Sequence, residues 1–246
     1  MKNLIYFLLA FTLFTGFTYA HPRLLGTNTI GGDGYGTLYK YMAGDTTLFD
    51  VLKIKGSPAL LPTSLIKIGN FLYGTNTGGG GSGFGYMFKY NFISKIFTNL
   101  YQFSEDSGGG PYSTLLHASN GKIYGSTYQG GLFNGGTLFE FNPNTGEYLT
   151  IFNCDSISGT NITSDFIQAS NGNLYITTTQ KGNDGFGTIL KLDLLTMKVK
   201  KIYDFTSIVA YTNSSNASIS LVESVSGKLL GLSPKGGLNN FGILFE

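Results

Sequence analysis

The sequence predicts an all-β protein, a β-propeller of four-stranded antiparallel blades, and three observations predict it. A Gly-Thr-Leu-Phe-like motif recurs at Gly36-Thr37-Leu38-Tyr39, Gly85-Tyr86-Met87-Phe88, Gly136-Thr137-Leu138-Phe139, Gly187-Thr188-Ile189-Leu190 and Gly242-Ile243-Leu244-Phe245, with starts 49, 51, 51 and 55 residues apart. A second motif, an apolar strand, a tight turn and another strand ending in a Gly pair, runs from Leu115 to Gly131 and recurs at 65–79, 166–182 and 221–237. The 246 residues include 36 Gly, 16 Tyr and 20 Phe and no Trp, which suits pleated half-buried strands joined by tight turns. Self-similarity at this period marks a repeat architecture in which each unit needs neighbours to bury its faces.

In chain order, residues 1–20 read as a secretory signal: Lys2 gives a positive start, Leu4 to Phe14 is apolar, and Thr18-Tyr19-Ala20 places small residues at the cut. The run is short of the ~20 apolar residues of a spanning helix. The mature chain then begins at His21, and residues 21–246 form the repeat domain. Its single cysteine, Cys154, leaves no intramolecular disulfide and reads as a packing residue.

Within a repeat, position a is Thr137 to Phe141, followed by the turn Asn142-Pro143-Asn144-Thr145-Gly146. Position b is Glu147 to Asn153, and the loop 155–163 leads to position c, Ser164 to Ala169. Asn171-Gly172 signals a two-residue hairpin, Asn173 to Thr179 is position d, and Gln180 to Gly187 carries the chain to the next unit. The unit is read as a-b-c-d, with the Gly-rich d-to-a link as a tight radial crossing between units.

The run Gly136 to Gly146, with Ile167-Gln168-Ala169-Ser170-Asn171-Gly172-Asn173-Leu174-Tyr175 thirty residues on, resembles the bacterial GloVer (Gloeo-Verruco) tandem repeat, and the resemblance covers residues 24–246. It implies an exported bacterial propeller, often with a C-terminal surface-anchoring segment, and no known reaction. The fourth repeat departs most, with Val225-Ser226-Gly227 in place of Ser-Asn-Gly and Leu230-Gly231-Leu232 in place of Tyr-Gly-Thr. Since Leu25-Gly26-Thr27 opens on position d and Phe245-Glu246 closes inside position a, about four and a half blades are present. The expectation is a truncated chain whose complete form has roughly six to eight blades.

The charge argues against nucleic acid. With 16 Lys+Arg against 14 Asp+Glu the formal charge is +2, and the only basic cluster, Lys198, Lys200 and Lys201, reads as a solvated hairpin edge. The Gly-rich links open strands, whereas a phosphate loop opens a helix. Asp33 and Asp184 share a repeat position whose other occupants are Ser82, Asn134 or Gly135, and Asn240; calcium needs several oxygens, so turn stabilisation is the better reading. His21 as an N-terminal copper ligand with His117 is disfavoured, because Pro22 follows directly and the counterparts of His117 are Lys67, Gln168 and Glu223. Glu105, Asp106 and Asp155 fall in b-to-c loops, where a glycosidase would need a facing pair, but solvated loop acids are the simpler account. No Asp-box ending in Trp occurs, and sugar stacking would fall to Tyr or Phe, such as Tyr128 or Phe133.

The sequence therefore assigns no catalytic residue, metal or cofactor. It points to a secreted or cell-surface, non-enzymatic binding or scaffold propeller whose expected partners are extracellular polysaccharide or protein. The alternative is a propeller hydrolase or lyase of extracellular carbohydrate. Carboxylates or His converging at the channel mouth would favour the enzyme, and a mouth of Gly, Ser, Asn and Tyr the binding module.

Overall fold

A computed structural model describes residues 62–206, 219–233, 239 and 241–246, with the backbone of three strands at 23–28, 37–42 and 49–53. The readings at residues 1–20, His21, Asp33 and Asn240 lie outside the described residues. Among the described residues, eighteen strands form five antiparallel sheets. The first holds β1 (Arg23–Asn28), β2 (Thr37–Met42) and β3 (Phe49–Lys53). The second holds β4 (Pro62–Ile68), β5 (Phe71–Asn76), β6 (Tyr86–Asn91) and β7 (Phe97–Gln102). The third is β8 (Leu116–His117), β9 (Ile123–Ser126), β10 (Thr137–Phe141) and β11 (Tyr148–Asn153); the fourth is β12 (Ile167–Gln168), β13 (Leu174–Thr177), β14 (Thr188–Asp193) and β15 (Lys198–Asp204). The fifth holds β16 (Ser220–Glu223), β17 (Leu229–Ser233) and β18 (Ile243–Phe245). No helix among the described residues is long and apolar enough to cross a membrane.

Each complete sheet is ordered c-d-a-b, which corrects the unit read from the sequence. The Gly-rich d-to-a link lies inside a sheet, joining two paired strands such as β9 and β10. It is the b-to-c link, 103–115 or 154–166, that crosses between sheets. Because strands alternate in direction, both kinds of link still fall on one face, and the c-d and a-b turns on the other.

In the third and fourth sheets position c is also shorter than expected, in the fourth Ile167–Gln168 rather than Ser164 to Ala169. The reason is a side chain. Thr177 donates its amide to Ser164 Oγ at 3.0 Å, and Ser126 donates to Ser113 Oγ at 3.2 Å, so hydroxyls replace the backbone acceptors that would continue the ladder. The Asn171-Gly172 hairpin is likewise a three-residue loop: Ala169 and Asn173 close it at 3.0 Å, and Gly172 alone takes positive φ, 82°.

Successive residues of a strand point to opposite faces, and each central sheet uses both faces. Met87, Phe103 and Tyr101 of the second sheet and its link pack on Ile123, Phe139, Phe141 and Tyr148 of the third, with the Tyr101 and Tyr148 rings stacked at 3.6 Å. Tyr124, Leu138 and Phe152 pack on Leu174, Ile176, Leu190 and Leu192 of the fourth. Tyr175, Ile189 and Phe205 pack on Leu221, Leu229 and Phe245 of the fifth. Every residue of β9, β10 and β13 is therefore buried, whereas the last strands of the second, third and fourth sheets are partly exposed.

The position-c segments of neighbouring sheets are bonded to one another. Leu115 donates its amide to Ser64 Oγ at 2.6 Å, Ser119 to Gln168 Oε1 at 2.8 Å, and Ser170 to Glu223 Oε2 at 2.8 Å. The c strands thus line the inner edge and the b strands the outer one, which is the blade arrangement of a propeller.

Candidate functional site, the inner rim between the third and fourth sheets

The face that gathers the d-to-a and b-to-c links is built from a recurring frame. In the second, third and fourth sheets the last residue of the outer strand clamps the d-to-a link of its own sheet: Gln102 Oε1 accepts from Gly81 N at 3.0 Å, Asn153 Oδ1 from Leu132 N at 2.9 Å, and Asp204 Oδ1 from Asn183 N at 2.8 Å. Beneath the crossing links, Thr127 and Thr137 hydroxyls lie 3.0 Å apart, as do those of Thr178 and Thr188. Thr137 donates to Ser107 O at 3.0 Å and Thr188 to Ser158 O at 2.5 Å. Glu105 O accepts from Gly131 N and Ser156 O from Gly182 N. Links tied at this many points present side chains on a fixed surface.

Residues that break the repeat on this surface are the candidates for function, because the frame itself recurs. At the inner rim Tyr112 and Tyr128 meet edge to face, with ring centroids 5.5 Å apart at 78°. Tyr112 is 48% exposed and Tyr128 half-buried. One repeat on, their positions hold Thr163 and Thr179, and one repeat back Thr77 holds that of Tyr128. The backbone beneath the rings is shared with the next repeat, and the residue on it differs. Gly110 has φ +63°, and a Cβ there would stand 3.1 Å from the Tyr112 ring; its counterpart is Asn161, at φ 59°, which needs no such room beside Thr163. Tyr128 N donates to Gly109 O and Gly110 O, and Asn161 Nδ2 donates to Tyr128 O at 3.3 Å. Asp165 lies beyond, its Oδ1 accepting from Thr114 N at 2.6 Å.

Of the residues singled out from sequence, only Tyr128 belongs to this rim. Phe133 is exposed on the outer part of the d-to-a link of the third sheet. Asp155 braces its own turn. Its Oδ1 accepts from Ser158 N at 2.6 Å, Ser158 Oγ at 2.7 Å and Ile157 N at 3.0 Å, and these bonds, that from the Ser158 amide first, hold its carboxyl below the usual range. Glu105 and Asp106 are exposed on the preceding crossing link, Asp184 is exposed on a d-to-a link, and His117 is exposed on β8. No group of three His, Cys, Asp or Glu suited to a metal ion occurs among the described residues. The Ser82 hydroxyl donates to Phe103 O and Asn134 Oδ1 accepts from Gly130 N, both tying down turns. Lys201 holds Asp204 and the Ile157 carbonyl, while Lys198 and Lys200 are exposed along β15. Cys154 is fully buried, and burial, with Asp155 adding to it, pushes its thiol up to about 12. Tyr112, Asn161 and Asp165 were missed by motif reading; comparing each link with the next, residue against residue, would have found them.

A family model described as the Gloeobacter/Verrucomicrobia repeat matches residues 18–245. No curated protein matches the sequence. An extracellular domain from B. thetaiotaomicron, described as that of a one-component system, is similar with a TM-score of 0.59 at 15% identity, covering 91% of this chain and 25% of that one. A second structure of that domain, described as that of a hybrid two-component system, gives 0.55 at 16% identity over 91% of this chain and 26% of that one. A protein described as a gluconolactonase gives 0.51 at 11% identity, over 85% of this chain and 69% of that one. The chain spans about a quarter of the length of the first two, and at these identities the likeness is one of fold.

Proposed function

This chain belongs to the Gloeobacter/Verrucomicrobia repeat family, and from that premise we propose that it is an exported, non-enzymatic binding module that holds extracellular polysaccharide at the inner rim between its third and fourth sheets. The observation that carries this reading is the Tyr112–Tyr128 pair, an aromatic departure from the next repeat, which places Thr163 and Thr179 there. The exposed Tyr112 ring, braced edge to face by the half-buried Tyr128, offers an apolar face at low entropic cost, and the flanking Asn161 and Asp165 supply polar groups that orient a hydroxylated ligand. Export is supported by Lys2, the apolar run Leu4 to Phe14 and the small residues before His21.

The test is a glycan array probed with the wild type and with the Tyr112→Thr/Tyr128→Thr protein, which carries the residues of the next repeat and keeps the frame. Binding to one glycan class, weakened roughly tenfold or more by the exchange, is the expected result. Glycan binding that survives the exchange intact removes the rim from the proposal, and hydrolysis of a bound glycan overturns the non-enzymatic reading.

A further inference from the structure

The crossing link 154–166 brackets the tyrosine pair: Asn161 reaches the Tyr128 carbonyl and Asp165 the amide of Thr114, two residues past Tyr112. Asp165 is itself a departure, since one repeat back its position is Thr114. Its side chain is exposed, and among the described residues only Oδ1 has a protein partner, the Thr114 amide. An ionised carboxylate accepts hydrogen bonds and cannot donate them, and the face of a tyrosine ring is electronegative. Both groups at this rim therefore attract the same kind of ligand atom, a positively charged donor.

The surroundings have the same sign. Among the described residues, the d-to-a and b-to-c links carry Glu105, Asp106, Asp155, Asp165 and Asp184 against Lys181 alone, five acids less one base, on a chain whose total charge is +2. The Lys201 ammonium, which reaches this face at the Ile157 carbonyl, is held by Asp204.

Resting on the polysaccharide reading, we propose that the rim takes a protonated amine, so that the polymer is an amino-sugar polymer with free amino groups, its ring against the tyrosines and its ammonium at Asp165. A basic peptide would meet the same charge but brings no flat pyranose face for the paired rings.

Titration calorimetry with a short deacetylated glucosamine oligosaccharide and with its N-acetylated counterpart separates the two levels of the claim. The free-amine oligomer is expected to bind roughly threefold to tenfold more tightly. That advantage should vanish in Asp165→Asn, which keeps an acceptor for Thr114, and should shrink as salt is raised. Equal affinity for the two oligomers in the wild type overturns the amine inference and leaves the polysaccharide reading standing. Binding to oligolysine with no binding to either oligosaccharide overturns the amino-sugar inference, as does binding to none of the three, and the glycan array then decides the polysaccharide reading.

Discussion

Gly125 faces Phe139 across the β9–β10 ladder, and a Cβ on it would overlap the Phe139 ring. Gly74 faces Phe88 and Gly231 faces Phe245 in the same way, whereas the fourth sheet pairs Ile176 with Leu190, both fully buried. The repeat thus fills one volume by two routes, glycine under an aromatic ring or two branched aliphatics. Gly125→Ile is expected to destabilise by about 1–3 kcal/mol through overpacking, and adding Phe139→Leu should recover most of it, because contacting residues couple; urea midpoints of the three proteins measure this. Asp155 gives a pH-dependent counterpart. Its folded pKa is lowered, so its stabilisation is present above the unfolded value of about 3.9 and is lost as pH falls through the folded one. Melting temperatures recorded downward from pH 5 should therefore fall more steeply for the wild type than for Asp155→Asn. The glycine motif was legible in the sequence; its partner was not, since the pairing runs across strands.

At the scale of the element, the strands were legible because alternation and turn residues are local, and the sheet boundary was not, because nothing local distinguishes a Gly-rich link that turns within a sheet from a loop that crosses between sheets. Partnering decides it: β9 pairs with β10, while Ser107 O and Ser158 O on the crossing links are taken by threonines of the following sheet. The outer-strand clamp fixes the d-to-a link. Asn153→Ala removes the acceptor of Leu132 N at a cost of about 1 kcal/mol. Hydrogen exchange should then speed up at the Leu132 amide and stay unchanged at Asn183, whose acceptor is Asp204; equal changes at both would mean a general loosening instead.

For the whole molecule, the period predicts the layered sheets, and three cores between neighbouring sheets bear it out. The site was legible only in part. Tyr128 stood out as an aromatic residue in a link, but Tyr112 and Asp165 acquire meaning through their neighbours, the ring 5.5 Å away and the amide of Thr114, and two crossing links of variable sequence hide them from motif matching. A function carried by departures from a repeat has a direct consequence: it should be removable by restoring the repeat. The measurement that bears on this most directly is a calorimetric titration of the polysaccharide oligomer into the wild type and into Tyr112→Thr/Tyr128→Thr, with melting temperatures recorded alongside. One site per chain, weakened roughly tenfold or more by the exchange at unchanged melting temperature, is the expected result; an isotherm identical for the two proteins would contradict the account.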